Sequence, residues 1–350
     1  MSYAKDPIPD RRPGETRTGV QHLEVGEDGA GQRLDNWLQR RLGSVPRSRL
    51  YRVIRKGEVR VNGRRAAPEL RLQVHDRIRI PPVRLASAEQ PRRPSPDLSA
   101  RIENAIVHED QNLLVLDKPA GVAVHGGSGV SFGVIEALRA ARPGESLELV
   151  HRLDRETSGC LLIARRAAAL RELHALMREN AFEKRYLVLV KGKWDLGAKR
   201  IDVPLRTNTR VGGERTVRAG APGKPSVSDF RPVQFFGRTA TLMEVTLHTG
   251  RTHQIRVHAA HAGHPVAGDE KYGDADFNAA LGGLGLKRMF LHAHSLSFSW
   301  PRGGEVSINT PLPAELAALI DLLAARGSRS RHAPLKGGES PPAAAPRRAK

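Results

Sequence analysis

The stretch that most constrains this chain is a nine-residue polar loop, His151-Arg152-Leu153-Asp154-Arg155-Glu156-Thr157-Ser158-Gly159, held between two apolar runs. Leu147-Glu148-Leu149-Val150 leads in, and Cys160-Leu161-Leu162-Ile163-Ala164 leads out. Runs this short, bounded by polar residues, read as buried strands. One acid, Asp154, with Arg152 and Arg155 on either side, therefore sits on a loop carried by two rigid strands. Reactive side chains are often placed this way. On residue types alone, a surface turn with a local ion pair is the commoner explanation.

Around that loop the chain sorts into segments. Residues 1–30, rich in Pro, Gly, Arg and Asp without period, read as a flexible arm with a strand near His22-Leu23-Glu24-Val25. Residues 31–81 form a small α+β unit. Leu34, Trp37, Leu38 and Leu42 repeat at helical spacing, and Leu50, Val53 and Ile54 stripe a second helix that Gly57 closes. Val59 to Arg64 enters an Asn62-Gly63 hairpin turn, and Val74, Ile78 and Ile80 suggest a closing strand. The other faces of the second helix carry Arg47, Arg49, Arg52, Arg55 and Lys56. A charge run is usually a solvated face, but this one is nearly all of one sign and adjoins Asn62, which favours phosphate contacts.

Residues 82–100 read as a Pro-rich linker, 101–325 as a larger domain, and 326–350 as a basic disordered tail. In the larger domain, a hairpin spans 106–116, helices carry Leu138, Leu173 and Leu319, and strands run through 184–190, 239–247 and 290–300. The segment 192–228, rich in Gly, Lys, Arg and Pro, reads as an exposed excursion, and 278–286 as a second one. Strands outnumber helices and several are consecutive, which predicts a mixed, largely antiparallel sheet with flanking helices, an α+β fold.

The 350 residues carry 57 Lys and Arg against 37 Asp and Glu, a net charge of +20, which calls for a polyanionic partner. No apolar run approaches the ~18 residues of a membrane span, and the N-terminus lacks the apolar core of a signal peptide. One cysteine, Cys160, fits a reducing compartment and the core better than a nucleophile. The expectation is a cytoplasmic monomer. His125-Gly126-Gly127-Ser128-Gly129 lacks the Lys-Ser/Thr of a phosphate loop and reads as a flexible turn. His253, His258, His261 and His264 invite a metal reading. No pair among them has the four-residue spacing of a helical zinc motif, and Gly263 and Pro265 break the segment, so no metal is expected.

Asp154, Tyr186 at the head of a strand, and Arg251 and Arg256 in a turn entering a helix can be joined chemically. Burial alone would neutralise a carboxyl group, so a reactive buried carboxylate needs a cation beside it. Arg, planar and permanently charged, suits this better than Lys. Tyrosine can stack on a base and relay a proton. Taken singly, Tyr186 reads as an ordinary strand aromatic and Arg256 as a helix-surface cation.

As a set they read differently. His151-Arg152-Leu153-Asp154 with Thr157-Ser158-Gly159, Lys184-x-Tyr186, Thr249-Gly250-Arg251-Thr252-His253-Gln254-Ile255-Arg256-Val257-His258, Gly263-His264-Pro265, Gly268-Asp269, Tyr272-Gly273 and Leu291-His292-Ala293 occur in this order. In motif order and spacing, 101–325 resembles the RluA-type pseudouridine synthases. Arg33-Leu34-Asp35 through Ser48-Arg49, with Ile54 to Val59 and Val61-Asn62-Gly63, resembles the S4 RNA-binding domain. Glu156 stands where the synthases often have Asp.

The resemblance implies the pseudouridine synthase fold and an isomerase that breaks the C1′–N1 bond of a flipped uridine and rejoins it as C1′–C5. No cofactor is needed. The implied substrate is large-subunit (23S) ribosomal RNA, free or in an assembling particle. Asp154 would be the catalytic carboxylate, attacking C1′ or the base. Tyr186 would stack on the base and Arg256 would pair with Asp154. Arg152 and Arg251 would touch phosphates, as would the basic residues of the small unit. The competing readings are a non-enzymatic RNA chaperone, on the charge and the S4-like unit, and a metal hydrolase, on the histidines.

Overall fold

The computed structural model describes residues 19–42, 45, 47–82, 93–127, 130–209, 215–301 and 304–331. The chain divides into two units, Met1–Arg93 and Pro94–Lys350.

In the first unit, strand β1 (Gln21–Glu24) is followed by a 3₁₀ turn (Glu27–Gly29), helices α1 (Leu34–Leu42) and α2 (Arg47–Arg55), and strands β2 (Arg60–Val61), β3 (Arg64–Arg65) and β4 (Arg77–Ile80). The sheet order is β1-β4-β2-β3, all antiparallel. The helical stripes meet it in one apolar cluster that holds Leu34, Trp37, Leu38, Leu50, Ile54, Ile78 and Ile80. Asn62 and Gly63 both take positive φ, as the primed hairpin turn requires, and Gly57 ends α2 in the same region. Two expectations change. The arm does not extend to residue 30, because β1 pairs along its length with β4 and Val25 is buried. Val74 is exposed and precedes the closing strand. Residues 1–18 of the arm lie outside the described residues, as does the Arg47 side chain.

The second unit opens with helix α3 (Pro96–Glu103), not with linker. The prolines that suggest a linker include Pro96 at the first helical position, where a fixed φ and a missing N–H cost nothing. Ser95 caps the helix, its Oγ accepting from the Leu98 amide. Residues 83–92 of the expected linker lie outside the described residues. Then come β5 (Ile106–Glu109), β6 (Leu113–Lys118), α4 (Val134–Ala141), β7 (Glu148–Leu149), β8 (Ser158–Ala164), α5 (Ala167–Arg178) and β9 (Glu183–Lys191). They are followed by β10 (Lys199–Asp202), β11 (Leu205–Thr209), β12 (Arg215–Ala219), β13 (Val227–Phe236), β14 (Ala240–Leu247), α6 (Gln254–His261), α7 (Ala275–Gly282), β15 (Leu291–Trp300), β16 (Gly304–Asn309) and α8 (Ala314–Arg331).

The central sheet runs β10-β13-β14-β9-β15-β8-β6-β5, with β16 on β15 and β7 on β8. Among the described pairings in it, only β15 with β8 is parallel. The α+β, largely antiparallel architecture expected from the strand-rich sequence is therefore observed. Both faces of this sheet are covered. Leu114, Leu116, Leu161, Ile163, Val188 and Val190 face one cluster with α3, α4 and α6. Their neighbours Leu113, Val115, Cys160 and Leu162 face another with α5. Coverage on both faces is why β6 and β8 are unbroken apolar runs and do not alternate.

The two excursions are corrected by the same physics. Segment 192–228 contributes β10 at the edge of the central sheet, the β11–β12 hairpin and the start of β13. Its few apolar residues, Trp194, Ile201, Leu205 and Val217, are buried singly among charges that an edge strand tolerates. Residues 278–286 overlap α7, which is capped by Asp274 and anchored by Phe277 and Leu281. Helix α8 continues past residue 325 to Arg331, and 332–350 lie outside the described residues.

Candidate active site

The parity of β9 decides which way Tyr186 points. Tyr186, Val188 and Val190 belong to the cluster that faces α6, whereas Leu189 faces the opposite cluster. Helix α6 lies on that face, held by Ile255 and Ala259 one turn apart. The Asp154 loop leads from β7 into β8, with Leu153 buried in the same cluster. Its turn is closed by the Thr157 amide, which donates to the Asp154 carbonyl at 3.2 Å. The loop is also pinned from below. Lys118, fully buried at the end of β6, donates to the carbonyls of Pro119, Val122 and Arg155. The Leu162 amide donates to His151 Nε2 at 3.1 Å, and burial lowers that imidazole to about 4.

Two glycines make the approach possible. Gly159 takes φ +107°, and a Cβ there would run into the backbone of Ala293 on β15, the strand it joins in parallel. Gly268 takes φ +72°, and a Cβ there would strike the Arg288 carbonyl. It carries the next residue, Asp269, under α6.

The result is a cavity of about 910 Å³ whose walls include Asp154, Lys184, Tyr186, His253 and Arg256, with Arg152 and Arg251 also lining it. Arg256 Nη1 donates to Asp154 Oδ2 at 3.1 Å. Its stronger partner is Asp269, bound through Nε and Nη2 at 2.7 and 2.8 Å in a bidentate fork. The Asp269 side chain is 0% exposed and also accepts from the Lys271 and Tyr272 amides. Burial works against the charge on Asp269. The Arg256 fork and those amides outweigh it and hold the carboxyl below the usual carboxylate range. Burial likewise opposes the Arg256 charge, and Asp269 and then Asp154 more than restore it. The guanidinium also lies 5.0 Å from the Tyr272 ring centre. Burial, and next the charge of Asp154, push the Tyr186 phenol above its ordinary range, so it stays protonated at neutral pH.

Gln254 fixes the turn into α6. Its Oε1 accepts from Thr249 Oγ1 and the Arg251 amide, and its Nε2 donates to the Val227 carbonyl and Ser228 Oγ. Arg152 and Arg251 are exposed, the first 3.5 Å from Thr252 Oγ1 and the second donating to the Pro225 carbonyl. Of the basic set in the first unit, Arg49, Arg52, Arg55 and Lys56 are exposed on or just beyond α2. Asn62 is exposed but spends its amide locally, donating to Asp76 and accepting from the Arg77 amide.

The structure thus brings Asp154, Tyr186, Arg256, Arg152 and Arg251 to one cavity. It gives a part to three residues that the motif string held without a role: His253, which lines the cavity, and Asp269 and Tyr272, which hold Arg256 and His253 from behind. The pairing of Gly268 with an acid was visible in the motif string, but nothing in it aimed that acid at Arg256. Among the described residues no group of three His, Cys, Asp or Glu side chains could hold a metal ion. His258 bonds Ser228 and the Val203 carbonyl, and His264 bonds the Lys191 carbonyl.

Residues 112–261 match the RNA pseudouridylate synthase family, and residues 32–78 match the S4 domain. "Ribosomal large subunit pseudouridine synthase C" of Pasteurella multocida (strain Pm70) is 50% identical over 307 residues, covering 87% of this chain and 94% of that protein. The protein of the same name from Escherichia coli (strain K12) is 49% identical over 310 residues, covering 87% and 97%. Among solved structures, human RNA pseudouridylate synthase domain containing 4 superposes with a TM-score of 0.54 at 25% identity, covering 65% of this chain and 96% of that one. Human RNA pseudouridylate synthase domain containing 1 does so at 0.51 and 29%, covering 64% and 96%.

Proposed function

This chain belongs to the RNA pseudouridylate synthase family and carries an S4 domain, and from that membership we propose that it isomerises specific uridines of large-subunit (23S) ribosomal RNA to pseudouridine with Asp154 as the catalytic carboxylate. The observation that carries the reading is the divided duty of Arg256. Its fork is taken by Asp269, so Asp154 receives one bond, on Oδ2. A cation therefore neighbours the nucleophile without occupying both its oxygens. Among the described residues nothing bonds Oδ1, which is left for the substrate.

The target uridine leaves its stack at a cost of a few kcal/mol. Arg152, Arg251 and the exposed cations Arg49, Arg52, Arg55 and Lys56 offset that cost through phosphate contacts. Asp154 attacks C1′ or the base, the C1′–N1 bond breaks, and the uracil turns in the cavity. The C1′–C5 bond then forms, the bond to Asp154 breaks and frees the carboxylate, C5 loses its proton and N1 gains one. Tyr186 stacks on the base, and its neutral hydroxyl helps pass that proton. No atom is added or removed, so the reaction requires no cofactor. No helix among the described residues is long and apolar enough to cross a membrane. We place the protein as a monomer in the cytoplasm, acting on free or assembling large-subunit RNA, with the first unit as the RNA-binding domain and the second as the catalytic domain.

The test is to map pseudouridines in 23S ribosomal RNA from cells with and without this gene. Sites should vanish on deletion, return with the wild-type gene and stay absent with Asp154→Asn. Unchanged maps on deletion would refute the reading.

A further inference from the structure

His253 is the residue just before α6, and it holds φ +54°, a region that residues with a side chain rarely occupy and keep only where their surroundings enforce it. A chain of two bonds through Tyr272 fixes its ring. Nδ1 lies 2.8 Å from the Tyr272 hydroxyl, and that hydroxyl accepts from the Val217 amide at 2.9 Å. A phenol has one proton. With the Val217 amide on an oxygen lone pair, that proton is free to point at Nδ1, and each of the two bonds has one donor and one acceptor. The opposite tautomer leaves the Tyr272 proton without an acceptor among the described residues. It also turns the Nε2 lone pair toward Asp154 Oδ2, 4.0 Å away, setting lone pair against carboxylate. Burial lowers the imidazole below its usual range against the opposing charge of Asp154, so the ring is neutral. Bond accounting therefore puts its proton on Nε2.

At 4.0 Å this Nε2–H is too far from Asp154 to be spent on it. No other acceptor among the described residues takes it. The ring lines the same cavity as Asp154 and Tyr186, and its side chain is 16% exposed. An unspent donor, fixed through Tyr272 on its far side, thus stands beside the carboxylate where the base must turn.

We infer that His253 is a further catalytic residue, whose Nε2–H donates a hydrogen bond to the uracil as it leaves C1′, and that Tyr272 is the positioning residue that sets the donating tautomer. The inference rests on the reading of this cavity as a uridine site. When the C1′–N1 bond breaks, its electron pair stays on the base, and the charge spreads over N1 and the two carbonyl oxygens. The negative charge of the attacking Asp154 carboxylate passes to the base in this step, and a donor that faces the base meets it as it arrives. A donor fixed before the reaction stabilises that charge more than it stabilises the neutral bound base, so it acts on the chemical step. His253 gives up no proton here. The proton lost from C5 after rejoining balances the one gained at N1.

The experiment is single-turnover kinetics of the full-length protein on a ribosomal RNA fragment, with RNA affinity measured in parallel. Four proteins are compared: wild type, His253→Gln, His253→Met and Tyr272→Phe. Gln and Met have similar length, but only Gln carries a donor near the Nε2 position. His253→Met should lose about 10²- to 10³-fold in rate, with affinity within about threefold. His253→Gln should recover at least tenfold of that loss. Tyr272→Phe, which frees the tautomer, should lose about tenfold in rate. Equal rates for His253→Gln and His253→Met, or a His253→Met rate within threefold of wild type, would overturn the inference. If His253→Met does not fold, the Tyr272→Phe rate decides, and a wild-type rate there overturns it. Failure of the underlying reading is separate: the wild-type protein itself would form no pseudouridine.

Discussion

Asp269 has no direct line to the substrate, yet the site depends on it. Arg256 is 11% exposed and its fork closes on a carboxylate with no exposure at all. Removing one member of such a pair leaves the other charge buried and uncompensated, at a cost of about 3–5 kcal/mol. Asp269→Asn should therefore lower the unfolding free energy by that amount in denaturant titration. It should also slow catalysis, because Arg256 is then free to swing fully onto Asp154. A loss below about 1 kcal/mol would show the fork to be dispensable. A second residue sets an acid limit. His292 is fully buried between Ser158 and Thr310, and burial lowers it to about 4. The unfolded chain takes up that proton near pH 6.5. The sign follows: stability is intact above pH 6.5 and declines as pH falls from there through 4, by roughly 3 kcal/mol for this group. Denaturation midpoints at pH 7 and 4.5 should fall further apart in wild type than in His292→Gln, and equal drops would contradict the assignment.

At the scale of elements, the site hangs on the parallel junction of β8 with β15, which pairs Ser158 and Gly159 with His292 and Ala293. Gly159→Ala places a Cβ against the Ala293 backbone at positive φ, and the cost should be at least about 3 kcal/mol. Gly197→Ala, at φ +61° in open space, should cost only about 1 kcal/mol. Similar losses in thermal or chemical unfolding would mean that the junction can relax. The same elements mark what was legible in the amino-acid sequence. β6, β8 and β9 are read from unbroken apolar runs, and Asp154, Tyr186 and Arg256 from a motif string that spans them. β10, β11 and β12 are not, because edge strands bury one side chain at a time and leave the rest charged. α3 hides behind the prolines that begin it. The roles of Asp269, Tyr272 and His253 arise from contacts between α6 and the loop after it. A period in the chain can report one face of an element, but not what the facing loop brings.

For the whole molecule, the excess of positive charge is the dominant property, and part of it stands on α2 of the first unit as exposed Arg49, Arg52 and Arg55. Arg52→Gln with Arg55→Gln should weaken RNA binding and lower the slope of log affinity against log salt by up to about 2. The rate at saturating RNA should stay unchanged, since the cavity is built from residues of the second unit. A fall in that rate with an unchanged slope would move those side chains from RNA capture to chemistry. The most direct measurement concerns the carboxylate in the cavity: single-turnover pseudouridine formation by purified Asp154→Asn on 23S RNA, with affinity measured on the same preparation. The expected result is affinity within a few-fold of wild type and no detectable pseudouridine. Turnover within about tenfold of wild type would contradict the central role of Asp154.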